Sequence, residues 1–348
     1  MSSLVRVIIP NYNYGRFLRV SVGSVLAQED VDLEVLIIDD ASTDDSQNIA
    51  AELASRDHRI ELRRHPENRG HIRTYNEGLQ WAAGAAYGVV LDPDDALTPG
   101  SLRRAVGLLD AHPRVGFVYG APRLFRGEVP LPRAKTGPGR WRIWGGQEWF
   151  AFRCRRAENC VFAPEIVLRM SVVEEAGGFR EDLPRSGDFE LWMRLSLYAD
   201  VGYIAGPHAA YYRDHAGGMH HSLHATPYAM LTERKRAFDA VFKNHADRIP
   251  DWHTLQEMAG RGLAQLALEA ACTAYERGPG HLEEADALER LAFAAYRRAD
   301  ELLARLLLRW RKAIGPRASQ FALPLRVLGF AQYLSRGLKR RHLRASGL

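Results

Sequence analysis

Cysteine is scarce in this chain of 348 residues, with only Cys154, Cys160 and Cys272. Their number and irregular spacing argue against a disulfide framework or a cysteine-based zinc site, and point to a reducing cytoplasm. Long apolar runs are missing too: no uninterrupted stretch approaches the roughly 18 residues of a membrane span. No leader-type segment is expected at the start, because Met1-Ser-Ser-Leu-Val-Arg6 passes straight into a strand pattern. No internal repeat is visible. Acidic residues are absent from Arg309 onward, where ten Lys and Arg occur, so subtracting ten from the net charge of +5 leaves −5 for residues 1–308. The basicity therefore belongs to the tail, and the body is mildly acidic.

What is present is an ordinary globular composition, 46% hydrophobic, long enough for one large α/β domain and a smaller appendage. Residues 6–10 form a β-branched strand that stops at Pro10, followed by a loop, Asn11 to Gly15, and a helix ending near Gln28. A second strand, 33–38, lacks alternation, as a strand covered on both faces does. It runs into Asp39-Asp40, and Ser42 or Thr43 is expected to cap a helix reaching Arg56. A strand over 59–64, a loop over 65–70, a helix over 72–83, a strand over 89–91, a helix over 100–111 and a strand over 115–119 complete the alternation. Such alternation predicts a mostly parallel, doubly wound sheet with its ligand site beyond the strands' C-terminal ends. Residues 122–147, rich in Gly, Pro and Arg, read as a long surface loop. A helix over 189–198 and short strands over 201–204 and 209–213 follow. Helical periodicity then fills 231–245, 253–277 and 282–312. The expected domains are 1–225, a helical appendage over 226–315, and a basic, amphipathic or disordered tail over 316–348.

The chain is organised around Tyr87-Gly-Val-Val-Leu-Asp92-Pro-Asp94-Asp95-Ala-Leu-Thr-Pro99. A short buried strand runs directly into three carboxylates, which repel one another unless a cation or hydrogen bonds compensate them. Hard oxygen donors of this kind suit Mg²⁺ or Mn²⁺. A capped acidic loop is the other reading, since Asp is a common turn and cap residue.

Seven ordered segments then carry a resemblance: Val7-Ile-Ile-Pro-Asn-Tyr-Asn13, Ile37-Ile-Asp-Asp-Ala-Ser-Thr-Asp44, Asn68-Arg-Gly70, Asn76-Glu-Gly-Leu79, Leu91-Asp-Pro-Asp-Asp95, Gly177-Gly-Phe179 and Asp188-Phe-Glu-Leu-Trp-Met-Arg194. Together, over roughly residues 4–220, the chain resembles the family-2 inverting glycosyltransferases. The resemblance implies a GT-A fold, a Rossmann-like α/β architecture with a mostly parallel central sheet flanked by helices. It also implies a nucleotide-diphosphate sugar donor, UDP-sugar being favoured, and a Mn²⁺ or Mg²⁺ cofactor. It places Asp40 on the base and Asp92 and Asp94 at the ribose and metal; the residues themselves add Pro10, Tyr12 as a ring to stack on the base, and Arg73 for the diphosphate to the expected donor site. The metal would fall to Asp94, Asp95 and His215, with the choice between the two aspartates open. Asp188 takes the place of the general base, although Gly187 precedes it where many members carry Glu.

The other readings of these residues are ordinary ones. Asp39 and Asp40 suit a loop or cap, Asp188 an N-cap, Arg73 a helix surface, and His215 with His220, His221 and His224 a pH-dependent loop. Trp141, Trp144 and Trp149, with Arg140 and Arg142, either shape an acceptor site or pack. The acceptor is expected to be a surface glycan, a lipid-linked sugar or a small metabolite. The tail is expected either to touch an anionic membrane surface peripherally or to be disordered. Nucleic acid is not an expected partner, while a homo-oligomer is open. A sugar-binding scaffold on the same fold is the non-enzymatic alternative. A nucleotidyltransferase is disfavoured, because Pro10-Asn-Tyr-Asn13 stands where such enzymes carry a Gly-rich basic loop.

Overall fold

The structure, a computed structural model, describes residues 3–127, 131–215, 217–218 and 226–321. Contacts divide these into two compact units, one formed by residues 3–149 with 160–218 and the other by 150–159 with 226–321.

The first unit begins with β1 (Leu4–Asn11), α1 (Gly15–Leu26), β2 (Asp32–Asp39), α2 (Ser46–Arg56), β3 (Ile60–Arg64), α3 (His71–Ala82) and β4 (Tyr87–Val90). It continues through β5 (Ala96–Leu97), α4 (Ser101–Ala111), β6 (Val115–Phe125), β7 (Arg140–Trp144), β8 (Val167–Arg169), α6 (Met170–Ala176), α7 (Gly187–Ser196) and β9 (Asp200–Arg213), while α5 (Gly146–Arg156) starts in this unit and belongs to the second from Phe150 on. Among the described residues a nine-stranded sheet runs in the order β3-β2-β1-β4-β8-β6-β9-β5, with β7 paired to β9. β3, β2, β1 and β4 are parallel, as are β6 and β9, whereas β8, β5 and β7 pair antiparallel. Val35 to Ile38 are fully buried, the signature of a strand covered on both faces.

Close packing explains two of the motifs. Gly78 on α3 lets Ile8 of β1 approach so closely that a Cβ there would lie 2.2 Å from Ile8 Cγ2. Gly178 is a similar case, since an added Cβ would fall 2.5 Å from Asn76 Oδ1.

Several local expectations are corrected. The stretch 122–147 is not one loop, because β6 extends to Phe125 and β7 supplies an added edge strand. The strands expected at 201–204 and 209–213 are one strand, β9, whose pairing with β6 shifts register around Gly120 and Ala121. The helix expected from Phe189 begins at Gly187. Neither Ser42 nor Thr43 caps α2, whose cap position is Asp45, because Ser42 instead bonds the β1 loop.

The second unit is helical: α8 (Pro227–Asn244), α9 (Trp252–Glu276), α10 (Leu282–Ala295), α11 (Leu303–Ile314) and α12 (Pro316–Phe321). The helix expected to run from 282 to 312 is broken between α10 and α11 by a turn at Ala299–Glu301. Its core is small-residue rich, with Ala264, Ala267, Ala271, Ala285, Leu288, Ala292 and Leu308 buried. The tail beyond Phe321, and His220, His221 and His224, lie outside the described residues.

Candidate active site

β1, β2 and β4 end side by side. Asn11 is in register with Asp39, and Leu91, one residue past β4, bonds back to Ile8. The residues that follow these ends, 12–15, 40–45 and 92–95, therefore share one rim of the sheet. The first two loops are tied together: Asn13 Oδ1 accepts from Thr43 N at 2.7 Å, and Ser42 Oγ accepts from Asn13 N at 2.9 Å. Tyr12 between them is 44% exposed, and Pro10 is buried in β1.

Two neighbouring aspartates have separate duties. Asp39 is structural, accepting from Ser42 N and Asn11 Nδ2. Asp40 accepts from Arg69 N at 2.8 Å and Gly70 N at 2.9 Å, and its Oδ1 lies 2.7 Å from His65 Nδ1. A carboxylate offers about four acceptor directions, so one remains on Oδ2 after these three partners. His65 reaches Glu77 Oε2 through its other nitrogen at 2.9 Å. Sequence reading missed His65 and Glu77, which stand 12 positions apart on different elements.

The Asp92–Asp95 cluster sits opposite. Tyr75 donates to Asp92 Oδ1 at 2.8 Å. Burial, then the charges of Asp94 and Asp188, push the Asp92 carboxyl up to about 7 despite that bond. Asp188, in the first turn of α7, is thus close enough to Asp92 for their charges to interact. Ser186 holds the cap position, so Asp188 is not the N-cap. The phenol of Tyr75 is itself raised well above its ordinary value, by burial first and then by Asp92.

Asp94 and Asp95 diverge. Asp94 Oδ2 lies 2.9 Å from His215 Nε2, and its backbone oxygen accepts from Arg213 Nε at 2.7 Å. Asp95 is buried, its Oδ1 accepting from Arg213 N at 2.8 Å, and burial holds its carboxyl well above the carboxylate range. The β5–β9 pairing, Ala96 to Tyr211, brings these positions together across more than a hundred residues. Arg213 is wedged between the rings of Phe17 and Phe125, 4.5 Å from each centroid. His215 packs against Phe17 and Tyr14, and its buried Nδ1 has no hydrogen-bond partner among the described residues.

Among the described residues no three carboxylate, imidazole or thiol groups converge as a metal cluster. Asp95 Oδ1 accepts from the β9 backbone, and of the expected donors Asp94 and His215 meet as a pair at 2.9 Å. That pair still fits a hard divalent ion: its donors are an oxygen and an imidazole nitrogen, and it adjoins carboxyl groups held above their ordinary range by burial and mutual repulsion.

The other expected residues are placed less centrally. Arg73 is exposed and pairs with Glu181 at 3.0 Å, a surface contact contributing about 0–1 kcal/mol. Trp149 is core, 1% exposed, with its Nε1 3.2 Å from Tyr119 Oη. Trp141 and Trp144 lie on β7, opposite Ile204 and Val201. β7 pairs with residues 201–205 of β9, and Arg213 closes the other end of that strand, beyond the register shifts at Gly120 to Pro122 of β6.

One further anchor underlies Asp188. Arg194 on α7 uses all five N–H donors: two to Glu190 at 2.9 Å, and the rest to the backbone oxygens of Ala176, Gly177 and Gly178 at 2.6–2.7 Å. Asn76 clamps Phe179 from the α3 side, both donating and accepting. Thus the Asn76, Gly177-Gly-Phe179 and Asp188-to-Arg194 motifs form one rigid support that sets the start of α7.

A Rossmann-like sheet whose strand ends present paired loop carboxylates, with an Asp–His pair beside them, defines a nucleotide-dependent transferase of the GT-A class. The chain belongs to glycosyltransferase family 2: the family model described as "Glycosyl transferase family 2" matches residues 6–172. It is 31% identical to the uncharacterized protein MT1568 of Mycobacterium tuberculosis over 61% of this chain and 67% of that one. The chain spans less than two thirds of each of seven other curated relatives, several of them named as glycosyltransferases. Among solved structures, Staphylococcus aureus TarS residues 1–349 in complex with UDP-GlcNAc is similar, with a TM-score of 0.64, 16% identity, and coverage of 92% of this chain and 90% of that one. The mannosyltransferase PcManGT of Pyrobaculum calidifontis, in complex with GDP-Man and Mn²⁺, gives 0.55, 20%, 98% and 87%. The protein is a glycosyltransferase with the GT-A fold and a C-terminal helical region. No described helix is long and apolar enough to cross a membrane.

Proposed function

We propose that the protein is an inverting, divalent-metal-dependent glycosyltransferase that uses a nucleotide-diphosphate sugar, a UDP-sugar being favoured. The observation that carries this reading is the meeting of Asp94 and His215 at 2.9 Å on the same sheet rim as Asp40. Asp40, rigidly held by two backbone N–H groups, keeps an acceptor direction on Oδ2 for the imide N–H of a uracil base. Tyr12, exposed beside it, offers a ring face for stacking. Asp92 is assigned to the ribose and Arg73 to the diphosphate, its exposed pair with Glu181 being too weak to restrain it.

Asp94 and His215 would hold Mn²⁺ or Mg²⁺, which when bound supplies Lewis-acid stabilisation of the charge on the departing nucleotide. Asp188 acts as general base, taking the proton of an acceptor hydroxyl as that oxygen attacks the anomeric carbon from the face opposite the leaving group. The Arg194–Asn76 support fixes the direction from which Asp188 approaches. The acceptor is a surface glycan, a lipid-linked sugar or a small metabolite.

Asp188→Asn tests the assignment. The variant is expected to bind the nucleotide sugar as the parent does while transfer falls by roughly a hundredfold or more, in the range of lost general-base catalysis. Undiminished turnover would remove Asp188 from the role.

A further inference from the structure

The helix α11 faces two ways. Its inward side is fixed: Ala304, Leu308 and Arg311 are buried, Arg311 bonds Glu276 on α9, Arg305 pairs with Glu289 on α10, and Lys312 pairs with Asp286 and Glu289. These ion pairs on both flanks set the rotation of the helix. The side left outward carries Leu303, Leu306, Trp310 and Ile314, exposed by 61, 53, 49 and 37%. At about 100° per residue these four fall within an arc of roughly 80°, a continuous apolar stripe on a helix about 18 Å long. Four large exposed apolar side chains aligned on one helix are a patch rather than scatter.

Charge indicates what covers the stripe. Arg309 beside it and Arg317 just beyond it are exposed, and six more Lys and Arg follow Arg317 with no Asp or Glu. A tryptophan set among leucines, with cations at the rim, matches the interface of an anionic bilayer: the ring and aliphatic chains enter the acyl boundary while guanidinium groups meet lipid phosphates.

We propose that the outward face of α11 is a docking surface for anionic phospholipid, holding the enzyme peripherally on a membrane. This inference is independent of the donor and metal assignments. It locates membrane contact on a folded helix, with the basic tail supplying added electrostatic attraction.

The test is flotation of the full chain with phosphatidylcholine vesicles, with and without phosphatidylglycerol. The intact protein is expected to float with the anionic vesicles, to release as salt screens the attraction, and to stay in solution with neutral ones. The double variant Leu306→Glu, Trp310→Glu, altered only at exposed positions, is expected to lose roughly tenfold or more in vesicle affinity with unchanged circular dichroism and unchanged melting temperature. Retained binding by a folded double variant would assign the contact to the tail and overturn the proposal. So would equal binding of the intact chain to both vesicle types. Absence of vesicle binding, together with a dimer in sedimentation that the double variant converts to monomer, would overturn it in favour of a second copy of this chain.

Discussion

His65 Nδ1 meets Asp40 Oδ1 at 2.7 Å, with both side chains 4% exposed, and the same ring bonds Glu77 on its far side. The imidazole therefore bridges two carboxylates, adding a side-chain partner for Asp40 beside the backbone N–H groups of Arg69 and Gly70. His65→Ala is expected to destabilise the protein by about 1–3 kcal/mol in urea titration, the cost of leaving buried polar groups unpaired. UDP affinity should fall with it, and adding His65→Ala to Asp40→Asn should cost little further affinity. Fully additive losses would show that His65 does not act through Asp40.

The Arg194–Glu190 pair is buried and complete. Arg194→Met is expected to cost about 3–5 kcal/mol, because it leaves Glu190 charged and buried and frees three backbone oxygens. Gly178→Ala should produce a smaller loss through the Asn76 clamp. Both are read by chemical denaturation, and a change below about 0.5 kcal/mol for Arg194→Met would contradict the support described.

Much of this architecture is legible in the chain itself. The second halves of β1 and β2, and β4, announce themselves as apolar runs, and polar residues gather where each strand ends on the same rim of the sheet. Long-range partnership is not legible. Asp94 and Asp95 are neighbours in sequence, and the antiparallel β5–β9 pairing decides that one meets His215 while the other accepts from the Arg213 backbone. Likewise, Trp141 and Trp149 look alike as aromatic residues near a loop. Register pairs the first with Ile204 on β9, and packing places the second in the core. Arg194 reads as an ordinary helix residue until α6 delivers its C-terminal carbonyls to it.

Asp92 gives a pH dependence with a definite sign. Its carboxyl rises from 3.8 to about 7 on folding, so the folded protein holds that proton more tightly than the unfolded chain. For metal-free protein this contribution to stability is fully present below pH 3.8 and is lost as pH climbs through about 7. The wild type minus Asp92→Asn difference in melting temperature should therefore decline across that window, and saturating Mn²⁺, which favours the carboxylate, should flatten it. A difference that grows with pH in metal-free protein would reverse the assignment.

Tyr75→Phe removes the hydroxyl that donates to Asp92 Oδ1. With that bond gone, the wild type minus Asp92→Asn contrast, repeated in protein that carries Tyr75→Phe throughout, should extend to higher pH, since the lost donor favoured the carboxylate. An unchanged window would show that the hydroxyl does not tune Asp92.

The central claim is that the pair Asp94 and His215 links a divalent ion to donor binding, and calorimetric titration of UDP with Mn²⁺ or with excess chelator tests it most directly. The wild type is expected to bind UDP roughly tenfold or more tightly with Mn²⁺, and Asp94→Asn or His215→Ala should abolish that enhancement while both proteins stay folded. Equal affinity in chelator and in Mn²⁺, or full metal enhancement in Asp94→Asn, would contradict the account.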